Sequence, residues 1–300
     1  MDISVVIGSY NQCNRLKKVI EGFASQNTQL QYEVIIVDSF STDDTAQMVS
    51  QFNAVDLSFS LNFIQRENPA GKAEARNVGV HESKSDIIII TDADMIPDQL
   101  FVQSHYDAHK GSHSPVCFEG LAYNLDSYDW PLKTCPSDTQ IPQKYTDGDR
   151  LDWYYFLTGN ISFPKSLFLL ENGFSVDFKS YGWEDLELGY RFKKRGVPLM
   201  YLQSAINYHY HVITPQERAD RKFLMGQSAQ IFAKKHPELS TFLGYNPLSS
   251  FIRRRLSKNH TLYKFILRLR ESRMSVLHQF SFWFEGEFNY LSGLLNLSND

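Results

Sequence analysis

Short, unbroken apolar runs alternate with amphipathic stretches between residues 3 and 94, and this alternation limits the fold more than any other feature. Residues 3–7 are apolar and rich in β-branched side chains, and they meet a turn-like Gly8-Ser9-Tyr10-Asn11. Leu16, Val19, Ile20 and Phe23 then recur at helical spacing. Val34-Ile35-Ile36-Val37 stops at Asp38, and a helix start is expected near Ser41-Thr42-Asp43-Asp44, all residues of N-capping type. Ala46, Met48 and Val49 form the apolar face of that helix. A third strand is expected over 59–64 and a helix over 73–81. Residues 87–90, four consecutive Ile, are the purest strand signal and end in Thr91-Asp92-Ala93-Asp94. Wholly apolar strands are buried on both faces, so the class is α/β, a mainly parallel central sheet with flanking helices. In such sheets ligands gather outside the carboxyl ends of the strands, where Ser9, Asp38 and Asp92 stand.

Residues 111–148 turn polar and irregular and are expected to form strand fragments and mobile loops. Ordered structure is expected to resume over 153–163 and to end near His211. Residues 216–300 read as helical and differ in character. Eight Lys or Arg fall between Phe251 and Arg273 against the single Glu271, and an apolar stretch with Val276, Leu277, Phe280, Phe282, Trp283 and Phe284 follows. A net charge of −4 gives no electrostatic reason to expect nucleic acid. The three cysteines, Cys13, Cys117 and Cys135, are scattered and odd in number, which argues against a disulfide framework. The sequence opens directly on a core-strand pattern and has no leader-like segment or bilayer-length apolar run, so a cytoplasmic location is expected.

Asp92-Ala93-Asp94 sets two carboxylates at the mouth of a buried strand, where they can aim together at one ligand. Burying like charges is costly unless a cation or strong donors compensate, and a divalent metal shared with phosphate oxygens does so. The plain alternative has one Asp capping the next turn and the other solvated. In Gly182-Trp183-Glu184-Asp185-Leu186-Glu187, a helix N-terminus would favour Glu184 and Asp185 through its dipole. A carboxylate held near an acceptor hydroxyl also serves as a general base. Glu187, Arg191, Leu186 and Leu188 are assigned to packing. In Asn207-Tyr208-His209-Tyr210-His211 the two histidines alternate with tyrosine and share one strand face, so either can complete a metal site. Carboxylate, imidazole and phosphate oxygen together suit Mn²⁺, whereas Mg²⁺ prefers oxygen alone. Lys72 and Arg76, four apart at a helix start, can neutralise a diphosphate, or line a solvated face with Glu74.

In this order the motifs resemble the family 2 glycosyltransferases with a GT-A (Rossmann-like) fold. The resemblance is carried by Ser4-Val5-Val6-Ile7-Gly8-Ser9-Tyr10-Asn11, Val37-Asp38-Ser39-Phe40-Ser41-Thr42-Asp43, Ala75-Arg76-Asn77-Val78-Gly79 and Asp92-Ala93-Asp94. The second half is similar to the galactosyltransferase-type acceptor region of chondroitin-type polymerases and animal β-galactosyltransferases, through Gly159-Asn160 and Gly182-Trp183-Glu184-Asp185. It covers residues 2–212. The resemblance implies an inverting, metal-dependent enzyme that moves a hexose or N-acetylhexosamine from a UDP-sugar to a hydroxyl of a glycan, glycolipid or other acceptor. It implies that Ser9 and Tyr10 hold the base and ribose, with Asp38 contacting base or ribose, Arg76 near the diphosphate and Asp86 helping to anchor the nucleotide pocket. Asp92 would reach the ribose or sugar side, Asp94 would bind the metal, and His209 or His211 would be the remote metal ligand. Asp185 would be the catalytic base, Glu184 would contact sugar or acceptor, and Trp183 would form the acceptor wall beside Gly159 and Asn160. Ser39 and Phe40 depart from the family pattern, which often has an acid or Asn and then Gly at these places.

On this reading residues 1–110 form the nucleotide-sugar-binding half, 111–215 the acceptor-binding and catalytic half, and 216–300 a C-terminal helical extension. Residues 251–295 are expected to rest on an anionic membrane surface, to pack against the catalytic lobe or to build a homodimer interface. The rival readings are a retaining GT-A transferase acting on a polypeptide and an inactive nucleotide-sugar- or glycan-binding protein. A sugar nucleotidyltransferase should open with a Gly-rich phosphate loop, and Gly8-Ser9-Tyr10-Asn11 is not one.

Overall fold

The computed structural model describes residues 1–179, 181–255, 261–271 and 274–295. The early apolar runs are the strands β1 (Ile3–Ser9), β2 (Tyr32–Asp38), β3 (Ser60–Gln65) and β4 (Ile87–Asp92). The amphipathic stretches between them are the helices α1 (Cys13–Ala24), α2 (Thr45–Asn53) and α3 (Lys72–Glu82). Every residue of β2 is buried, as an apolar strand covered on both faces requires. Strand β1 lies between β2 and β4, parallel to both, with Ser9 level with Asp38 and Gly8 level with Asp92. The three strands therefore end together, and their polar terminal residues share one mouth.

Beyond β4 come β5 (Met95–Pro97), α4 (Phe101–Lys110), β6 (Cys117–Asn124), β7 (Arg150–Leu151), β8 (Ile161–Pro164), α5 (Lys165–Leu170), α6 (Glu184–Lys194) and β9 (Leu199–His209). The nine strands form one sheet in the order β3-β2-β1-β4-β8-β6-β9-β5, with β7 paired to β9. The β3-β2-β1-β4 half is parallel, β8 runs antiparallel to β4 and β6, and β6 pairs with β9 in parallel. Residues 111–148 thus contribute a full core strand, β6, where the sequence suggested fragments. Its pattern is broken by the buried Glu119 and by a shift of register between Gly120 and Leu121.

The chain divides into two compact units. One holds Met1–Val176 and Asp185–Val212, and therefore the whole sheet; the other holds Asp177–Glu184 and the described residues from Ile213 onward. The second unit is helical, as expected, with α7 (Pro215–Lys235), α8 (Pro247–Arg255), α9 (Thr261–Arg268) and α10 (Ser275–Leu294). Helix α7 opens on a capping box: the Thr214 hydroxyl accepts from the Glu217 N–H, and the Glu217 carboxylate accepts from the Thr214 N–H. A Cβ on Gly226 would lie 2.0 Å from the Tyr290 carbonyl oxygen, and one on Gly293 2.0 Å from that of Phe223. Glycine at both positions lets α7 and α10 touch backbone to backbone. In the basic stretch, Lys258 and Arg273 lie outside the described residues. Among the described residues no helix is long and apolar enough to cross a membrane.

Candidate active site

Strand register brings the acidic and histidine motifs together. Asp92 closes β4, two residues turn the chain, and β5 then pairs antiparallel with the end of β9, with Met95 level with His209. The Tyr210 N–H donates to the Asp94 carbonyl at 2.6 Å and extends the pairing. Asp94 Oδ2 consequently lies 2.8 Å from His211 Nδ1 and 3.7 Å from His209 Nε2. One ligand atom from each of Asp94, His209 and His211 lies within 4.8 Å of the others. An octahedral ion with ligands at about 2.1 Å separates adjacent ligands by about 3 Å and opposite ones by about 4 Å, so this donor set fits a divalent cation. Asn124 donates from its amide to Asp138 at 3.2 Å, so its Oδ1 faces His209 Nδ1, also at 3.2 Å. That contact places the His209 proton on Nδ1 and leaves Nε2 as the ligand. Burial pushes the Asp94 carboxyl up, but the His209 and His211 imidazoles facing it outweigh that and hold the group well below the ordinary carboxylate range.

Asp92 takes a separate path from Asp94. Its Oδ1 accepts from Arg76 Nη2 at 2.7 Å, and Oδ2 lies 3.8 Å from Lys72 Nζ. Burial raises the Asp92 carboxyl, and the charges of Lys72 and Arg76 outweigh that effect and keep it ionised. The Arg76 side chain is 1% exposed and braces Asp92, whereas Lys72 is 57% exposed. Asp92 thus faces the cations Lys72 and Arg76 and Asp94 the imidazoles of His209 and His211, and the two carboxylates lie near enough to feel each other's charge.

On the other side of the mouth, the loops after β1 and β2 are tied to each other. Asp38 is fully buried and accepts from the Ser41 N–H at 2.9 Å and the Ser41 hydroxyl at 2.5 Å. The Thr42 N–H donates to Asn11 Oδ1 at 2.8 Å, and the Asn11 N–H to Ser41 Oγ at 2.8 Å. Phe40 sits at φ +67°, a backbone position that favours the glycine common in the family. Tyr10 is exposed, and the buried Ser9 hydroxyl has no hydrogen-bond partner.

The carbonyl of Gly159 joins these features to Asp185. It accepts from Thr91 Oγ1 at 2.8 Å and from Asn207 Nδ2 at 2.7 Å, next to Asp92 and close to His209 respectively. The neighbouring Thr158 hydroxyl lies 3.5 Å from Asp185 Oδ2, at the outer edge of hydrogen bonding. Asp185 Oδ1 accepts from the Leu186 N–H at 2.8 Å. Glu187 and Arg191 pair within α6, with Nη2 to Oε2 at 2.9 Å, in the packing role expected of them.

Three expectations need correction. Asn160 is fully buried and does not face an acceptor. Its amide donates to the carbonyls of Ala205 at 2.9 Å and Leu121 at 3.2 Å, so its Oδ1 accepts from His105 Nε2 at 2.9 Å. His105 Nδ1 must then accept from the Ser162 hydroxyl at 2.8 Å, and Ser162 accepts from His109 Nε2 at 2.9 Å. A Cβ on Gly120 would fall 2.3 Å from Asn160 Oδ1, so this bracket also requires the glycine. Asp86 is exposed and precedes β4, at the end of the sheet opposite Asp92, so it joins no nucleotide pocket. Arg76 is buried against Asp92, and Lys72 is the more exposed of the two cations. Trp183, at φ +75°, belongs to the second unit with Glu184, and its ring packs 5.8 Å from Phe232 of α7. Glu119, Asn124 and Thr158 are site residues that no sequence motif marked.

The glycosyl transferase family 2 model matches residues 4–171, and a model described as the N-terminal domain of galactosyltransferase matches residues 147–214. Validoxylamine A glucosyltransferase of Streptomyces hygroscopicus subsp. jinggangensis is 27% identical over 268 residues, covering 79% of this chain and 61% of that protein. Chondroitin synthase of Escherichia coli is 24% identical over 267 residues, covering 78% of this chain and 38% of that protein. The chain thus spans less than two thirds of the length of these relatives. Among solved structures, S. aureus TarS 1–349 in complex with UDP superposes with TM-score 0.60 at 16% identity, covering 99% of this chain and 91% of that one. Mannosyltransferase PcManGT from Pyrobaculum calidifontis, in complex with GDP-Man and Mn²⁺, superposes with TM-score 0.60 at 15% identity, covering 99% and 88%. The fold is the GT-A fold that the motifs implied. With more than half of its length matched by the family model, the chain belongs to glycosyl transferase family 2.

Proposed function

We propose that the protein is an inverting, metal-dependent glycosyltransferase that moves a hexose or N-acetylhexosamine from a UDP-sugar to a hydroxyl of a glycan, glycolipid or other acceptor. The observation that carries this reading is the convergence of Asp94, His209 and His211 beside a cation-braced Asp92, at the carboxyl ends of the strands. Relatives solved with UDP, and with GDP-Man and Mn²⁺, lend support through a shared fold. Asp94, His209 and His211 would hold Mn²⁺ or Mg²⁺, with the nitrogen ligands favouring Mn²⁺. The bound ion supplies positive charge to the departing diphosphate. Lys72 adds a second, exposed cation, and Arg76 keeps Asp92 ionised and in place on the ribose or sugar side. Ser9 and Tyr10 would line the base and ribose, on a loop that Asp38 holds through Ser41.

Asp185 takes the proton from the acceptor hydroxyl. The oxygen attacks the anomeric carbon from the face opposite the diphosphate, whose bond to that carbon breaks with the electron pair leaving on phosphate oxygen. Configuration inverts. Trp183 and Glu184, next to Asp185 in the chain, are the proposed acceptor contacts, with Gly159 beside Thr158. Residues 1–110 would supply the donor half and 111–215 the acceptor half. A cytoplasmic protein that touches the membrane through residues 251–295 completes the proposal.

The test is a panel of UDP- and GDP-sugars with Mn²⁺, scoring nucleotide release with and without EDTA and the anomeric configuration of the product. Chelator-sensitive release from one UDP-sugar, with inversion, is expected. Asp185→Asn should lower kcat by the ~10²–10⁴-fold of a lost general base while UDP binding stays intact. Retention of configuration would favour the retaining reading. Failure to bind or turn over any donor would favour an inactive glycan-binding protein.

A further inference from the structure

We infer that Glu119 is a positioning residue for Asp185, fixing the segment from which Thr158 reaches that carboxylate; the inference rests on Asp185 being the base. Glu119 lies within β6, level with Ile161 of β8 and Tyr201 of β9, and is fully buried. Its Oε2 accepts from the Leu157 N–H at 2.9 Å, and its Oε1 is sealed from solvent without a hydrogen-bond partner. Among the described residues no cation pairs with it. An apolar side chain would fill the same space without the cost of a buried carboxyl group. What the carboxyl adds is a hold on one backbone N–H.

That N–H begins the segment on which the site is hung. Thr158 follows Leu157 and lies 3.5 Å from Asp185 Oδ2, and Gly159 then takes the bonds from Thr91 and Asn207. Leu157–Gly159 therefore touches both the base and the strands β4, which leads into Asp94, and β9, which ends at His209. The titratable groups coupled to Glu119 are Asp185 on α6, Cys117 on its own strand and Tyr201 on β9. Burial pushes the Glu119 carboxyl well up, the Leu157 N–H opposes this weakly, and the Asp185 charge adds to the rise. That rise lessens the repulsion that two anionic carboxylates would exert across this segment. A glutamine can make the same bond to Leu157 without any charge, whereas an alanine cannot.

The test compares kcat, donor KM, UDP affinity and the acid limb of the pH–rate profile in the full chain. The variants are Glu119→Ala, Glu119→Gln, Thr158→Val and Asp185→Asn. Glu119→Ala should lower kcat by about tenfold or more, as small misplacements of a catalytic group do, with KM and UDP affinity unchanged. Its acid limb should move to higher pH, because ionised Asp185 loses a donor, and Thr158→Val should move it the same way. Glu119→Gln should restore most of the lost rate. The inference is overturned if Glu119→Gln falls as far as Glu119→Ala, or if Thr158→Val leaves the acid limb in place. Should Glu119→Ala fail to fold, the Gln and Thr158 variants decide alone. If Asp185→Asn turns over normally, the base reading fails first. If Asp185→Asn is inactive but Glu119→Ala and Thr158→Val are normal, only the positioning role fails.

Discussion

His105 is the residue at which mild acid should first be felt. Burial drives its pKa down to about 3 from an ordinary 6.5, and the bond to Asn160 offsets only part of that fall. A base whose folded pKa is depressed lends stability above its unfolded value, and that stability is lost as pH falls. Below pH 6.5 and down to about 3, each pH unit should therefore cost about 1.4 kcal/mol for this ring alone. Urea denaturation at pH 6 and pH 5 should show that loss, and His105→Gln should flatten it. An unchanged midpoint in the wild type would mean the ring is not held neutral. The same network explains one residue that was misread. Gly159-Asn160 looks like a flexible, polar acceptor contact, but the partners of Asn160 come from residues 105, 121 and 205, which no local pattern ties to it. Asp94, His209 and His211 stand out in the sequence as an Asp-x-Asp after a buried strand and a His-x-His pattern, whereas the base role of Asp185 comes from the family resemblance. Glu119 does not stand out, since a lone Glu in an irregular stretch reads as surface.

At the scale of elements, strands announced themselves where both faces are apolar. Residues 87–90 and 34–37 admit no other reading, and the strand ends alone put Ser9, Asp38 and Asp92 at one mouth. Strand β6 hid because the buried Glu119 interrupts it, and of β9 only the end, from Asn207 onward, reads as strand in the sequence. The choice between His209 and His211 could not be made from spacing because both rings reach Asp94: the pairing runs on past the end of β9 through Tyr210. Helices α9 and α10 carry the membrane proposal. Phe265 of α9 is 59% exposed and Trp283 of α10 is 61% exposed, with Lys264 and Arg268 on the same short helix as Phe265. Exposed aromatics among cations suit an anionic lipid surface. The full chain should float with vesicles of anionic lipid and not with neutral ones, and Phe265→Ser with Trp283→Ser should abolish flotation. No flotation, with a concentration-dependent dimer that the same changes disrupt, would assign the face to a second copy instead.

For the molecule as a whole, the sheet-bearing unit contains the metal-type triad, the cation-braced Asp92 and Asp185; the Gly159 carbonyl bonds to Thr91 beside Asp92 and to Asn207 near His209, and Thr158 lies 3.5 Å from Asp185. On the proposed function, the nucleotide, metal and base sites would be coupled through this segment. The most direct test of that coupling is the affinity of UDP measured calorimetrically with and without Mn²⁺, in the wild type and in Asp94→Asn. The account predicts that Mn²⁺ tightens UDP binding in the wild type and that Asp94→Asn removes the gain while leaving metal-free binding unchanged. A gain from Mn²⁺ that survives Asp94→Asn undiminished would contradict it.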